Sequence, residues 1–222
     1  MNESTVKILY QDPHLLVCHK PADILSEGAA KDSLPLLLQK QLADSGEPSC
    51  EIFPVHRLDR ETEGVMVYAR TQKAAASLSR AITEQQLQKE YLAIVCGTPK
   101  ERTATLTDLL FYDRTRNKSF AVKRERKGVK QASLDYTVLE TQPSHALLHI
   151  RLHTGRTHQI RVQFASRKLP LRGDRKYGAP KEDCPLMLCA YRLQFPHPDT
   201  NEIMSFTTAP TAKKWQEWTF SQ

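Results

Sequence analysis

At 222 residues, 40% hydrophobic and 26% charged, the chain has ample apolar material for a core. It contains no run of about 18 apolar residues that would cross a membrane. Five scattered cysteines, at 18, 50, 96, 184 and 189, exclude a disulfide-framed secreted domain and predict reduced, mostly buried thiols. A net charge of +7 and a pI of about 9.2 point toward a polyanionic partner.

The opening Met1-Asn2-Glu3-Ser4-Thr5 lacks the basic-then-apolar order of a secretion signal, so a cytoplasmic location is expected. Val6 to Tyr10 and Leu15 to His19 read as two strands joined by Asp12-Pro13-His14, a turn signal. Lys20-Pro21-Ala22-Asp23 leaves the sheet, and Asp32-Ser33 supplies N-cap chemistry for a helix carrying Leu34, Leu37, Leu38 and Leu42. Residues 43–54, with Gly46, Pro48 and Pro54, form a loop that delivers the chain to His56. Val65 to Ala69 is a short apolar run suited to a buried strand. Thr71 caps a helix with Ala74, Ala75, Leu78 and Ile82 on one face, and Lys89 to Gly97 is a strand with Tyr91 near its start.

Further strands are predicted at 103–110 and 119–123, and the basic residues around them fit a hairpin or arm. Between Arg114 and Lys130 stand eight Lys or Arg residues and one acid, Glu125. Ala132, Leu134, Tyr136 and Val138 alternate with polar residues, and a strand over 146–152 follows the turn at Pro143-Ser144. A helix is predicted from about Gly155 to Lys168, anchored by Ile160 and Phe164. Strands at 186–195 and 203–207 precede a short terminal helix carrying Trp215 and Trp218. Cys184, Cys189 and His197 fit no closed zinc pattern. Strands outnumber helices and follow one another directly, so the expected fold is α+β. It is read as a single domain over 1–222 on a mostly antiparallel mixed sheet, with flanking helices and a central cleft.

Two constellations carry chemistry. In Val55-His56-Arg57-Leu58-Asp59-Arg60-Glu61-Thr62-Glu63-Gly64 one carboxylate, Asp59, lies between two arginines just before a core strand. Flanking cations favour the ionised form, a poor general acid and a usable nucleophile. A surface turn of alternating charge is the plain alternative. In the second stretch, Gly155 to Arg161, the residues Arg156, His158 and Arg161 cluster at a helix start suited to anions.

Taken with their order, these stretches resemble the RluA family of RNA pseudouridine synthases. His56-Arg57-Leu58-Asp59 with Thr62 and Gly64 is similar to the family signature. Lys20-Pro21, Lys89-Glu90-Tyr91-Leu92-Ala93, Gly155-Arg156-Thr157-His158-Gln159-Ile160-Arg161 and Gly173-Asp174 with Tyr177-Gly178 follow the order of its other motifs. The resemblance implies isomerisation of uridine in ribosomal or transfer RNA to pseudouridine, without cofactor or metal. Asp59 is then the essential carboxylate, acting either as a nucleophile or as the base that forms a glycal. Arg161 pairs with it, Tyr91 stacks on the base, and Arg57 fills the gap left by the flipped nucleotide. His56, Lys20, Arg156, His158 and Gln159 are implied substrate contacts.

Four positions depart from the family pattern. Glu63 stands in place of Ser and is read as solvent-facing; Asp23 replaces Gly; Gln163 and Cys189 occupy positions where His is common. A single catalytic domain without a separate N-terminal RNA-binding domain is expected, and a monomer is expected. The competing functions are a non-catalytic RNA-binding or chaperone protein on the same fold and a hydrolase pairing Asp59 with Glu61 or Glu63.

Overall fold

The computed structural model describes residues 5–28, 30, 32–47 and 51–219. The first four residues of the opening segment, and Pro48 and Cys50 of the predicted loop, lie outside them. In chain order the elements are β1 (Lys7–Gln11), β2 (Leu15–Lys20), α1 (Leu34–Asp44), β3 (Phe53–Pro54), β4 (Glu63–Ala69), α2 (Gln72–Thr83), β5 (Gln88–Cys96), β6 (Thr103–Asp113), β7 (Lys118–Val122), β8 (Val129–Gln142), β9 (His145–Leu152), α3 (Gln159–Ala165), β10 (Leu188–Pro196) and β11 (Ile203–Thr207). Two compact units result, Met1–Lys89 with Ala190–Pro210 and Glu90–Cys189 with Thr211–Gln222.

The first unit is built on the strand order β1-β2-β4-β10, with β3 on β4 and β11 on β10. Every residue of β2 and of β4 is buried, so the side chains on both faces of these strands are covered. Leu15, Val17, Val65 and Val67 pack with Ala74 and Leu78 of α2 and with Leu193 and Phe195 of β10. Helix α2 begins where predicted, the Thr71 hydroxyl accepting the Ala74 N–H at 3.1 Å. The β1–β2 turn is organised by Asp12: one carboxylate oxygen accepts the amides of His14 and Leu15, and the other accepts Tyr10 Oη and His197 Nε2, both at 2.8 Å. Burial works against the Asp12 charge, but these four donors outweigh it and hold the carboxyl at about 2.

The second unit orders β5-β9-β8-β6-β7. The period-two reading of β8 is borne out: Ala132, Leu134, Tyr136 and Val138 are buried. Phe164 of α3 meets the Tyr136 ring edge-on at 5.5 Å between centroids. The predicted basic hairpin forms from β6 and β7, with Leu109↔Val122 and Asp113↔Lys118 in register. Asp113 closes its turn by accepting the amides of Thr115 and Arg116, and Asn117 takes the left-handed conformation at φ 45°.

Two helices end differently from the prediction. α3 starts at Gln159 rather than near Gly155, because His158 sits at φ 53° and cannot continue a right-handed helix. In place of the terminal helix, Trp215 lies on a 3-10 turn, Lys213–Glu217, and Trp218 follows it in extended conformation; both indoles are buried. No described helix is long and apolar enough to cross a membrane.

Candidate active site

Asp59 lies on a short strap between His56 and β4, and the strap is held by its backbone. Its three successive carbonyls each have a donor. Ser26 Oγ donates to Leu58 O at 2.9 Å, Thr62 N to Asp59 O at 3.0 Å, and Lys20 Nζ to Arg60 O at 2.9 Å. Lys20 also donates to Pro21 O and Ile24 O at 2.8 and 2.7 Å. Arg60 Nε returns a bond to Asp23 O at 3.0 Å. Two loops, 20–27 and 57–62, are thus laced together along their main chains. A reactive group on a loop gains fixed geometry from such lacing.

Several predicted site residues take other posts. Lys20, expected among the substrate contacts, is fully buried with its ammonium on three carbonyls, so it positions the strap. His56 is also buried. Its Nε2 accepts the Val67 N–H at 3.1 Å, which fixes Nδ1 as the protonated nitrogen, and burial next to Lys89 holds the ring well below the usual histidine range. It is therefore a neutral bracket between the strap and β4. Glu63 does not face solvent: it is 4% exposed, with a carboxylate oxygen 3.6 Å from His19 Nε2. Asp23 adopts φ 64°, the left-handed turn for which Asp is suited. Arg57 is exposed, its guanidinium 3.1 Å from the equally exposed Glu27. Such a surface pair is worth only about 0–1 kcal/mol and exchanges readily.

Gly64 closes the strap. It sits at φ 129°, and a Cβ there would overlap the backbone of Ala190 on the neighbouring strand β10. Gly64→Ala is expected to cost more than about 3 kcal/mol, read as a drop in the midpoint of urea unfolding. A variant as stable as the parent would show that β10 yields easily at this point.

Lys20 gives the strap a pH dependence. Burial lowers its ammonium to about 8, against the pull of Asp23, Asp59, Cys18 and Glu63. Above that pH the neutral amine has two N–H groups for three carbonyls, so the strap loses a tie. The unfolded lysine keeps its proton to about 10.5. Between the two values the unfolded chain binds more protons, and this group's contribution to stability rises with pH. Activity is therefore expected to fall above about pH 8 while stability from this group does not, and Lys20→Met should flatten that limb of the single-turnover pH profile.

In the second unit Arg161 is 1% exposed and forms a bidentate pair with Asp174: Nε and Nη2 donate to the two carboxylate oxygens at 2.7 and 2.8 Å. The Arg161 guanidinium lies 5.4 Å from the ring centroid of Tyr177. Tyr177 Oη accepts the Ser119 amide at 2.8 Å and lies 3.0 Å from His158 Nδ1. His158, the residue that caps the start of α3, is buried with its ring edge-on to Tyr177. Gln159 is a loop organiser, not an exposed contact: Oε1 accepts Thr154 Oγ1 and the Arg156 amide, and Nε2 donates to Ser133 O. Arg156 is exposed, its Nε bonded to Gln131 O at 2.9 Å. Tyr91 is 6% exposed on β5. Gln163 is fully buried on Asp108 and Leu106 O, and Cys189 is fully buried.

Asp174, Tyr177 and Ser26 were not singled out from sequence as site residues. Gly173-Asp174 carried a signal: Gly173 at φ 79° abuts the Pro185 carbonyl so closely that no side chain fits, and the turn it makes delivers Asp174. Nothing local marks Ser26.

Residues 14–166 match the sequence profile described as RNA pseudouridylate synthase. The chain belongs to that family. An uncharacterized RNA pseudouridine synthase of Aquifex aeolicus is 36% identical over 90% of this chain and 68% of its own length. The ribosomal large subunit pseudouridine synthase D of Neisseria meningitidis serogroup B is 35% identical, over 90% of this chain and 56% of its own length. The chain therefore spans little more than half of that relative. Among solved structures, human RNA pseudouridylate synthase domain containing 4 superposes with a TM-score of 0.77 at 26% identity, covering 91% of this chain and 88% of that one. The α+β pseudouridine synthase fold and the RluA-type resemblance read from the motifs are borne out. Four of the quoted motif stretches fall within the matched segment: Lys20-Pro21, His56 to Gly64, Lys89 to Ala93 and Gly155 to Arg161.

Proposed function

We propose that this pseudouridine synthase isomerises uridine in ribosomal RNA, with Asp59 as its essential carboxylate. The reaction breaks the N1 glycosidic bond and joins C1′ of the ribose to C5 of the same uracil, so nothing enters or leaves. The observation that carries the reading is the strap on which three successive carbonyls around Asp59 are tied down. It fixes the backbone that carries this one carboxylate, in a chain of this family. Asp59 acts as nucleophile or as base toward the ribose; both routes need it ionised, and Arg161 is assigned as the cation that favours that state. Tyr91 offers a face for the base, and Arg57, weakly engaged by Glu27, is the side chain available to fill the vacated stack.

Ribosomal RNA is favoured as substrate because the Neisseria relative and one from Buchnera aphidicola are described as ribosomal large subunit pseudouridine synthases. Arg114, Arg116, Lys123, Arg124, Arg126 and Lys127 are all exposed on or beside the β6–β7 hairpin, and supply phosphate contacts that add salt-sensitive affinity without sequence choice. The protein is expected to act as a cytoplasmic monomer. The test is pseudouridine mapping of total RNA from cells with and without the gene, together with purified protein on a ribosomal RNA transcript. A new pseudouridine at unchanged RNA mass is expected. Release of free uracil would overturn the isomerase reading, and binding without any pseudouridine would leave a non-catalytic RNA-binding protein in its place.

A further inference from the structure

We propose that Cys96, His145 and Glu182 form a zinc site that fastens the 178–187 loop to the ends of β5 and β9. One ligand atom from each residue lies within 4.8 Å of the others. Zinc bonds of about 2.0–2.3 Å place tetrahedral ligands about 3.3–3.8 Å apart, so the three side chains need only a small contraction. His145 Nε2 and Glu182 Oε1 already stand 3.1 Å apart.

The frame beneath them is rigid. Cys96 is the last residue of β5 and His145 the first of β9, adjacent strands in the sheet. Gly97 N donates to Ser144 O at 2.7 Å, joining the two strand ends. The outer partners suit a metal. His145 Nδ1 lies 2.9 Å from Ser144 Oγ, which can take the Nδ1 proton and leave the Nε2 lone pair toward the site. Arg172 Nε holds the other Glu182 oxygen at 2.8 Å, leaving Oε1 on the metal side. Arg172 is shared with Glu217 at 2.9 Å, so its charge does not fully cancel that of Glu182.

Sulfur, imidazole and carboxylate donors together suit zinc better than magnesium or calcium. Burial and the Glu182 carboxylate push the Cys96 thiol up to about 11, so it is a plain thiol until a cation displaces its proton. Water completes the fourth position. The ion would be structural and takes no part in the isomerisation proposed above.

The test uses the whole protein, stripped with a chelator and titrated with Co(II), whose thiolate charge-transfer band reports a sulfur ligand, then back-titrated with Zn(II). We expect saturable binding of a single equivalent, the band, its loss to Zn(II), and a rise in melting temperature on loading. Cys96→Ser should remove the band, and both it and His145→Gln should weaken Zn(II) binding at least about tenfold. Their metal-free melting should match that of the metal-free parent, which separates a lost ligand from a lost fold. Cys184→Ser, in the same loop, should keep the band. No saturable binding, a band that survives in Cys96→Ser, or a band lost only in Cys184→Ser would each overturn the site.

Discussion

Asp59→Asn is expected to lower the rate of pseudouridine formation by about 10³-fold or more while leaving fold and RNA affinity in place. The strap explains the second half of that result. Its ties run to the carbonyls of Leu58, Asp59 and Arg60, and Asn has the same backbone and nearly the same volume. The main-chain ties survive the substitution, so the loop should keep its path. RNA affinity should hold or rise slightly, since the substitution removes a negative charge and most affinity for a polyanion comes from phosphate contacts. The chemistry goes because a neutral amide neither attacks the sugar nor takes its proton. Single-turnover assays with chemical detection of pseudouridine, beside filter binding, separate the two quantities. Turnover within tenfold of the parent would dismiss Asp59 as the essential carboxylate.

The second large effect belongs to the buried pair. Asp174→Ala leaves the Arg161 guanidinium nearly sealed from water without its bidentate partner, the two side chains being 1% and 0% exposed. Breaking a buried pair on one side costs about 3–5 kcal/mol. That is a large fraction of the roughly 5–15 kcal/mol by which folded proteins are stable. Replacing both partners by apolar residues, Arg161→Met with Asp174→Leu, removes the buried charge along with its bidentate partner and should recover most of the lost stability in urea unfolding. It should not recover pseudouridine formation, because the cation assigned to Asp59 is gone. If the double variant is as unstable as Asp174→Ala, the pair stabilises the fold outright; if it is active, Arg161 has no part in the reaction.

Much of the fold was legible in the sequence because strands announce themselves locally. β11 falls at the predicted residues, and the alternation of Ala132 to Val138 is the buried face of β8. The turn at Asp12 and the cap at Thr71 also act within a few residues of themselves. What escaped depended on distant partners. Glu63 looked solvent-facing because it is charged, yet β4 is covered on both faces and the carboxylate is buried near His19. Lys20 was assigned to the substrate through its Lys-Pro motif, and nothing near it in sequence shows that three carbonyls from two loops hold its ammonium in the interior, where lysine is rare. Arg161 pointed to a carboxylate, but Asp174, 13 residues on, comes into reach through a turn that only a glycine at 173 permits.

The lacing around Asp59 also bears on how this segment can diverge. Its ties are made to main-chain oxygens, which every residue type possesses. The Lys20 tie at residue 60 is therefore made whatever side chain stands there, and the Arg60 side chain adds its own bond to Asp23. A lineage can change the charges there, and with them the RNA surface that the strap presents, without re-evolving the geometry of its reaction centre. Substrate range and chemistry are separately adjustable on one short stretch of chain.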